Sequence, residues 1–458
     1  MKATTTLTAV MLVALNAGCL PEKRIVWSPD GERAAIAAPN GLFLIDAQGK
    51  VLKPRLTGTA VRCNWFPDSR RLAVVHESKV ETWRDVTDMF NAVQTGKIKE
   101  LANTLRQRVL AYEGDWDQFE LDPDDNTPTA IEIGMLLYLR DHLADGLPEK
   151  LGDKWEDVEN LHPDIHQLQL FTVTQEKLKP GKMLVRSFCE IYQPKVAPNG
   201  RHVAFLMPLF DGTDDDPALH VVSCESGDPR PVAENVGLDH DWSPDGRRLV
   251  FIQSSAQNFE NTHGVQLGSL VTIGIAKENG SLLPAWEDQR DLVGLLFNPL
   301  LAVRWLSDDR LLFSSFEATL PTTTHDMPQQ WSLFVFDPRM PASIHRVLGR
   351  DFSEPLEVSV PLFALSPDGK RVLLPGPNGQ VVLHDFASSE TKSLIEDVSA
   401  HDKRQSLPTW RNNVDVCLVR PSGDEQGEGE VVLWHEGQFK PLSNTWSEEM
   451  REGWLDDN

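Results

Sequence analysis

The stretch Trp27-Ser28-Pro29-Asp30-Gly31 returns unchanged at Trp242-Ser243-Pro244-Asp245-Gly246, and once more as Leu365-Ser366-Pro367-Asp368-Gly369. A catalytic motif is needed once. Copies scattered along a chain of 458 residues mark a structural unit that recurs. Within each copy, proline fixes φ at the start of a turn, aspartate bonds nearby backbone, and glycine accepts a positive φ. The residues that follow, such as RAAIAA at 33–38 and RLVFI at 248–252, form a short β-prone run. Each copy therefore reads as a hairpin corner. Trp27 and Trp242 close the first strand. Asp30, Asp245 and Asp368 bond turn amides, and Gly31, Gly246 and Gly369 turn the chain.

Aligned on the residue before the turn, four further copies begin at Trp65, Val196, Trp305 and Trp410. A second strand pair follows several of them: GLFLIDAQGKVLKPRL at 41–56, QVVLHDFASSETKSLI at 380–395 and EVVLWHEGQFKPLS at 430–443. Four strands per repeat, at spacings near or modestly above the roughly 40–50 residues of a propeller blade, predict an all-β, seven-bladed β-propeller. The exception is the 131-residue interval from Trp65 to Val196, which holds one blade plus an insertion. Trp27, Trp65, Trp242, Trp305 and Trp410 are expected to pack between neighbouring blades. Whether the first strand and the last repeat share one blade to close the ring stays open at this point.

The repeated WSPDG, basic residue and apolar run resemble the TolB-like β-propeller family, whose repeats are related to WD-type blades. The resemblance covers most of residues 23–443 outside the insertion. It implies the fold and says little about activity. TolB itself carries an α/β domain before its propeller; here residues 1–24 precede the first repeat, so the expectation is a TolB-like propeller rather than TolB.

The insertion, residues 84–160, loses the β alternation and lies after the early strands of the second blade. Met89, Phe90, Val93, Ile98, Leu101, Leu105 and Val109 recur at helical spacing, and residues 127–143 and 151–162 read as further helices. Sheet character returns at 166–175 and 181–188. Loops on a rigid scaffold often carry function, so this helical subdomain is a candidate recognition element.

Residues 1–18 read as a lipoprotein-type signal peptide: Lys2 is a short basic region, and Leu7 to Leu15 form an apolar core too short to span a bilayer. Ala17-Gly18-Cys19 resembles a lipobox, with Asn16 where that pattern prefers leucine. Cys19 is thus the expected lipidation site, which places the chain outside the cytoplasm on a membrane anchor. The propeller then spans 19–443, and 444–458 is an acidic tail carrying Trp446 and Trp454. Cys63, Cys189, Cys224 and Cys417 lack metal-ligand spacing, and a Cys189–Cys224 disulfide is one pairing an exported chain allows.

A net charge of −24 disfavours nucleic acid as a partner and favours basic proteins or divalent cations. Asp211, Asp214 and Asp216 form the densest carboxylate run, a weak calcium candidate without EF-hand spacing; Asp122, Asp124, Asp125 and Asn126 pose the same question. Asp239-His240-Asp241 and His401-Asp402 precede repeats, where such residues build hydrogen-bond networks or, alternatively, hold a metal. No G-x-S-x-G elbow, HExxH, Walker loop or dinucleotide fingerprint occurs. The leading expectation is a non-enzymatic, envelope-located scaffold that binds another protein without a cofactor. The alternative is an exported, metal-assisted lyase or hydrolase acting on a polymer in the central channel. A small-ligand sensor beneath the insertion is a third.

Overall fold

In the computed structural model, the described residues are 25–114, 119, 121, 127–175, 177–209, 217–255, 267–278, 281–316, 331–340, 343–348, 363–375, 381–395, 408–421, 429–447 and 450. They form seven four-stranded sheets, each an antiparallel meander. Blade 1 holds β1 (Ile25–Trp27), β2 (Arg33–Ala38), β3 (Gly41–Asp46) and β4 (Val51–Thr57). Blade 2 holds β5 (Ala60–Trp65), β6 (Arg71–Lys79), β7 (Asp164–Val173) and β8 (Leu178–Ser187). Blade 3 comprises β9 (Tyr192–Val196), β10 (His202–Pro208), β11 (Pro217–Ser223) and β12 (Arg230–Ala233). Blade 4 comprises β13 (Val236–Trp242), β14 (Arg248–Ser254), β15 (Leu267–Glu278) and β16 (Ser281–Leu296). Blade 5 runs through β17 (Val303–Trp305), β18 (Leu311–Phe316), β19 (Trp331–Phe336) and β20 (His345–Leu348). Blade 6 runs through β21 (Ala364–Leu365), β22 (Arg371–Pro375), β23 (Val381–Asp385) and β24 (Thr391–Ile395). Blade 7 ends the ring with β25 (Thr409–Trp410), β26 (Val416–Pro421), β27 (Gly429–His435) and β28 (Gln438–Pro441).

First strands lie side by side around the axis, with β1 next to β5, β5 to β9, β9 to β13 and β13 to β17; β21 adjoins β25, and β25 returns to β1. The fold is the seven-bladed propeller expected from the repeats. Its first and last blades each keep four consecutive strands, so no strand is shared in closing the ring.

The SPDG corner explains its own recurrence. Ser28, Ser243 and Ser366 each donate Oγ–H to the aspartate two residues on, at 2.6, 2.6 and 2.7 Å. The same Oγ accepts the N–H of Arg33, Arg248 or Arg371 at 2.9–3.1 Å. The aspartates accept the amides of Glu32, Arg247 and Lys370. Gly31, Gly246 and Gly369 sit at φ near +70°, where a side chain would be strained. One small corner thus pairs most of its own polar backbone.

Apolar side chains alternate on each sheet and fill the gaps between blades. Trp27 lies in the cluster joining blades 7 and 1, Trp65 in that of blades 1 and 2, and Trp242 in that of blades 3 and 4. Trp305 joins blades 4 and 5, and Trp410 joins blades 6 and 7. The core is therefore a ring of interfaces rather than one centre.

The helices leave blade 2 between β6 and β7: α1 (Ala92–Ala111), α2 (Thr129–His142), α3 (Leu147–Leu151) and α4 (Asp153–Glu159). The helical reading of 84–112 needs one correction. Residues 83–89 form two 3₁₀ turns, and α1 starts at Ala92 because Asn91 caps it, accepting from Val93 and Gln94 while Gln94 accepts from the Asn91 amide. Val93, placed on the apolar face by spacing, falls in the first turn and is 81% exposed. Ala102, Leu105, Val109, Met135, Leu139, Leu151 and Trp155 give the helices a core of their own. Val80, Trp83, Phe90, Ile98, Ile131 and Ile165 pack them onto the blade.

Cys63, Cys189, Cys224 and Cys417 form no disulfide with one another. Cys189 follows β8 and Cys224 follows β11, strands that end at opposite faces of the ring, so these two are not a disulfide pair in this fold. Trp446 is buried between blades 1 and 7. Cys19, Asp122, Asp124, Asp125, Asn126, Asp211, Asp214, Asp216, His401, Asp402 and Trp454 lie outside the described residues.

Lys79 pairs directly with Asp164, and the Val80 amide donates to Pro163 O at 3.0 Å, so the insertion grows from the tip of an ordinary hairpin. Replacing residues 81–162 with Asn-Gly should therefore leave a folded propeller. Far-UV circular dichroism should lose its helical component while a cooperative thermal transition remains. Loss of that transition would show that the blade requires the helices.

Candidate functional site

The residue just before each repeat anchor lies on a first strand and faces the next blade. In order these are Val26, Asn64, Lys195, Asp241, Arg304, Ala364 and Thr409. Four successive ones are polar, and in the structure they form a charged arc across blades 2 to 5. Asn64 accepts the Val196 amide at 3.2 Å, and Asp241 accepts the Trp305 amide at 2.9 Å. Each is thus a forward link from one first strand to the next.

Asp239, two residues earlier on β13, is the centre of the arc. Lys195 Nζ donates to its Oδ1 at 2.6 Å, and Arg304 donates to its Oδ2, which also accepts the Val303 amide at 3.0 Å. Lys195 also donates to the His240 carbonyl. Burial opposes the charge on Asp239, but Arg304 and Lys195 hold the carboxyl well below the usual range. Burial and the neighbouring Arg304 push Lys195 down, against Asp239 and Asp241. Burial also opposes the charge of Arg304, which Asp239 and Asp241 keep protonated. Every member is matched, so the group ties blades 3, 4 and 5 together.

His240 points the other way along β13, toward blade 3, and is fully buried. Burial and the Lys195 ammonium push its pKa down to about 3, so the ring is neutral at physiological pH. Trp242, on the same face, donates Nε1–H to Lys195 O at 2.9 Å. His240 is thus part of an interface, without an open side from which to meet a substrate. Among the described residues, no group of three His, Cys, Asp or Glu side chains is arranged to hold a metal ion.

A second polar cluster lies where the insertion meets the ring. Arg62 on β5 pairs with Glu190 at 2.7 Å and lies over the Tyr192 ring. Glu77 and His166, opposite each other on β6 and β7, approach within 3.4 Å. Burial, with Asp164 and Glu190 nearby, raises the Glu77 pKa; burial lowers that of His166. Elsewhere, burial pushes the Cys63 and Cys417 thiols up to about 12.

Sequence reasoning singled out His240 and passed over Lys195, Arg304 and Arg62. For Lys195 and Arg304 the signal was present in the column before the anchor, where Lys195, Asp241 and Arg304 alternate in sign. It also passed over the repeat arginines. Arg33, Arg248 and Arg371 each lie over the tryptophan of the following blade, at 5.6, 4.9 and 5.4 Å from the rings of Trp65, Trp305 and Trp410.

No family model matches the sequence, and no curated protein does. Among solved structures, the chain is similar to TolB from Acinetobacter baumannii, at 17% identity, 60% of this chain, 58% of that one and a TM-score of 0.38. It is similar to a Mycobacterium tuberculosis puromycin-hydrolyzing peptidase, at 15% identity, 62% and 44% coverage and a TM-score of 0.40. It is also similar to the β-propeller domain of the Trilobed protease from Pyrococcus furiosus, described as having an open velcro topology, at 14% identity, 61% and 74% coverage and a TM-score of 0.37. The similarity spans less than two thirds of the first two proteins. The class is set by the chain's own strand order and repeats: a seven-bladed β-propeller.

Removing the Asp239 carboxylate takes away the one group that both buried cations contact directly. Asp239→Ala should cost about 3–5 kcal/mol in urea unfolding, against about 1 kcal/mol for Asp30→Ala at an exposed turn. Two buried histidines contribute to the pH dependence. His240 and His220 have folded pKa values of about 3 and about 4, against 6.5 when free. The unfolded chain therefore binds more protons below pH 6.5, and stability falls as pH drops from there toward 4, by roughly 1.4 kcal/mol per pH unit for each histidine. His240→Leu should flatten that slope in unfolding midpoints measured between pH 7.5 and 4.5.

Proposed function

We propose that this chain is a non-enzymatic, protein-binding scaffold of the bacterial cell envelope, exported by residues 1–18 and lipid-anchored through Cys19. The observation that carries this reading is the helical subdomain. It has its own core, and it is fixed to blade 2 by apolar packing, by the Arg186–Asp88 ion pair at 2.6 Å, and by Arg140 donating to Glu81 O and Leu161 O. A rigid element projecting from one ring face suits recognition better than turnover. The charged arc supports the same reading, because its groups are matched with one another and make a stiff frame. Among the described residues no helix is long and apolar enough to cross a membrane, so attachment to the bilayer rests on the N-terminal segment.

The partner is expected to be a protein with a basic contact surface, given the charge of −24. The alternative, a metal-assisted lyase or hydrolase in the channel, drew on His240 or His401; His240 is fully buried, and His401 lies outside the described residues. The acid–base pair Glu77 and His166 is a further pair available to that alternative.

Residues 20–458 and the hairpin-closed version lacking 81–162 should be used as baits in envelope extract. A partner held by the first bait and lost from the second supports recognition by the helices. Retention by both would move recognition to a propeller face. Capture by neither, together with a stoichiometric bound metal, would favour the enzyme.

A further inference from the structure

Six of the seven blade interfaces are crossed by the chain itself, and some crossings are short: residues 58–59 join β4 to β5, and 234–235 join β12 to β13. At the seventh interface, between blades 7 and 1, no segment joins a strand of one sheet to a strand of the other. At three interfaces the repeat tryptophan donates Nε1–H to a first-strand carbonyl of the preceding blade, each at 2.9 Å: Trp65 to Val26, Trp242 to Lys195 and Trp410 to Ala364. Trp27 Nε1 at the seam, like Trp305 Nε1 between blades 4 and 5, finds no such carbonyl among the described residues; Trp27 lies beside the buried Cys417 thiol.

Two devices hold the seam. On one face, Arg411 donates Nε–H to Gly31 O at 2.9 Å and lies 5.5 Å over the Trp27 ring. Gly31 is required there, since a Cβ would come within 3.0 Å of Arg411 O. The second device is the chain after β28. The Leu442 amide donates to Val431 O at 2.8 Å, and the backbone then crosses to blade 1. It passes so near the β3–β4 turn that a Cβ on Gly49 would lie 2.7 Å from Leu442 O. Beyond a 3₁₀ turn at Ser443–Thr445, Trp446 and Met450 are 5% and 0% exposed. They join Ile25, Phe43 and Ile45 of blade 1 and Val431 and Leu433 of blade 7 in one apolar cluster.

We propose that the seam between blades 7 and 1 is where this ring opens, and that the chain after β28, through Leu442, Trp446 and Met450, is a strap that holds it shut. Separating any other pair of blades is limited by the chain between them. Separating these two breaks non-covalent contacts alone, and the strap supplies a share of them from a segment that can detach without unfolding either sheet. Its release exposes β1 and β25, the first strands that meet at the seam.

Two native thiols test this. Cys417 lies in the seam cluster and Cys63 in the cluster between blades 1 and 2; they are 2% and 6% exposed. N-ethylmaleimide labelling of the full chain, of a chain ending at Leu442, and of full-length Trp446→Ala should be followed at each cysteine by peptide mass mapping. In both variants, Cys417 labelling should accelerate by about tenfold or more while Cys63 changes by less than about twofold. Equal acceleration at both sites would mean general loosening, and unchanged Cys417 labelling would mean that the tail restrains nothing; either overturns the proposal. If the truncated chain loses its cooperative transition, Trp446→Ala decides.

Discussion

The fold depends on covering both faces of every sheet. A four-stranded meander with apolar residues on both sides is not stable alone, and a ring supplies each blade with two neighbours. The recurring letters of the sequence describe that contact rather than a site. Tryptophan at the end of a first strand reaches back to the preceding blade, and arginine at the start of a second strand reaches forward over the next blade's tryptophan. The aspartate and glycine between them hold the corner that sets both side chains in place. Each cation–π contact is worth about 0.5–2 kcal/mol, and their regular direction fixes the order in which blades meet.

The charged arc answers a second demand of the same geometry. First strands converge on the axis, where short strands leave amides facing the neighbouring blade. Asn64, Asp239 and Asp241 accept those amides at Val196, Val303 and Trp305. Once carboxylates occupy such positions, cations must accompany them, because an unpaired buried charge costs far more than a matched one. Lys195 and Arg304 come from the blades on either side of Asp239, so neutralisation and blade registry are achieved by one set of contacts.

How much of this the sequence displayed follows from distance along the chain. The corner is five residues long, so its chemistry was legible from local turn rules, and the spacing of its copies led directly to seven blades. The charged arc joins residues 195, 239 and 304, and a buried lysine there looks like any lysine at a strand end. His240 drew attention because histidine between aspartates suggests chemistry; strand alternation sends it into an apolar interface and the aspartates to the next blade. The start of α1 was misjudged because apolar residues at 83–90 match helical spacing, while the Asn91 cap, two residues from Val93, marks the true boundary. Ring closure was illegible because it depends on side chains from opposite ends of the chain.

The meander also sorts the connections. In every blade the second strand runs back from the SPDG corner, so chain leaving a second strand and chain entering a first strand do so at the same face. The corners and the turns between third and fourth strands belong to the opposite face, where tight geometry such as that at Gly31, Gly49 and Gly246 leaves little room for additions. An insertion of helices is therefore accommodated at the tip of β6 and β7, where Lys79 and Asp164 close the ladder. The ring thus presents one face constrained by its own interfaces and one on which a folded subdomain stands. Recognition by the second face is the division of labour that such a scaffold permits.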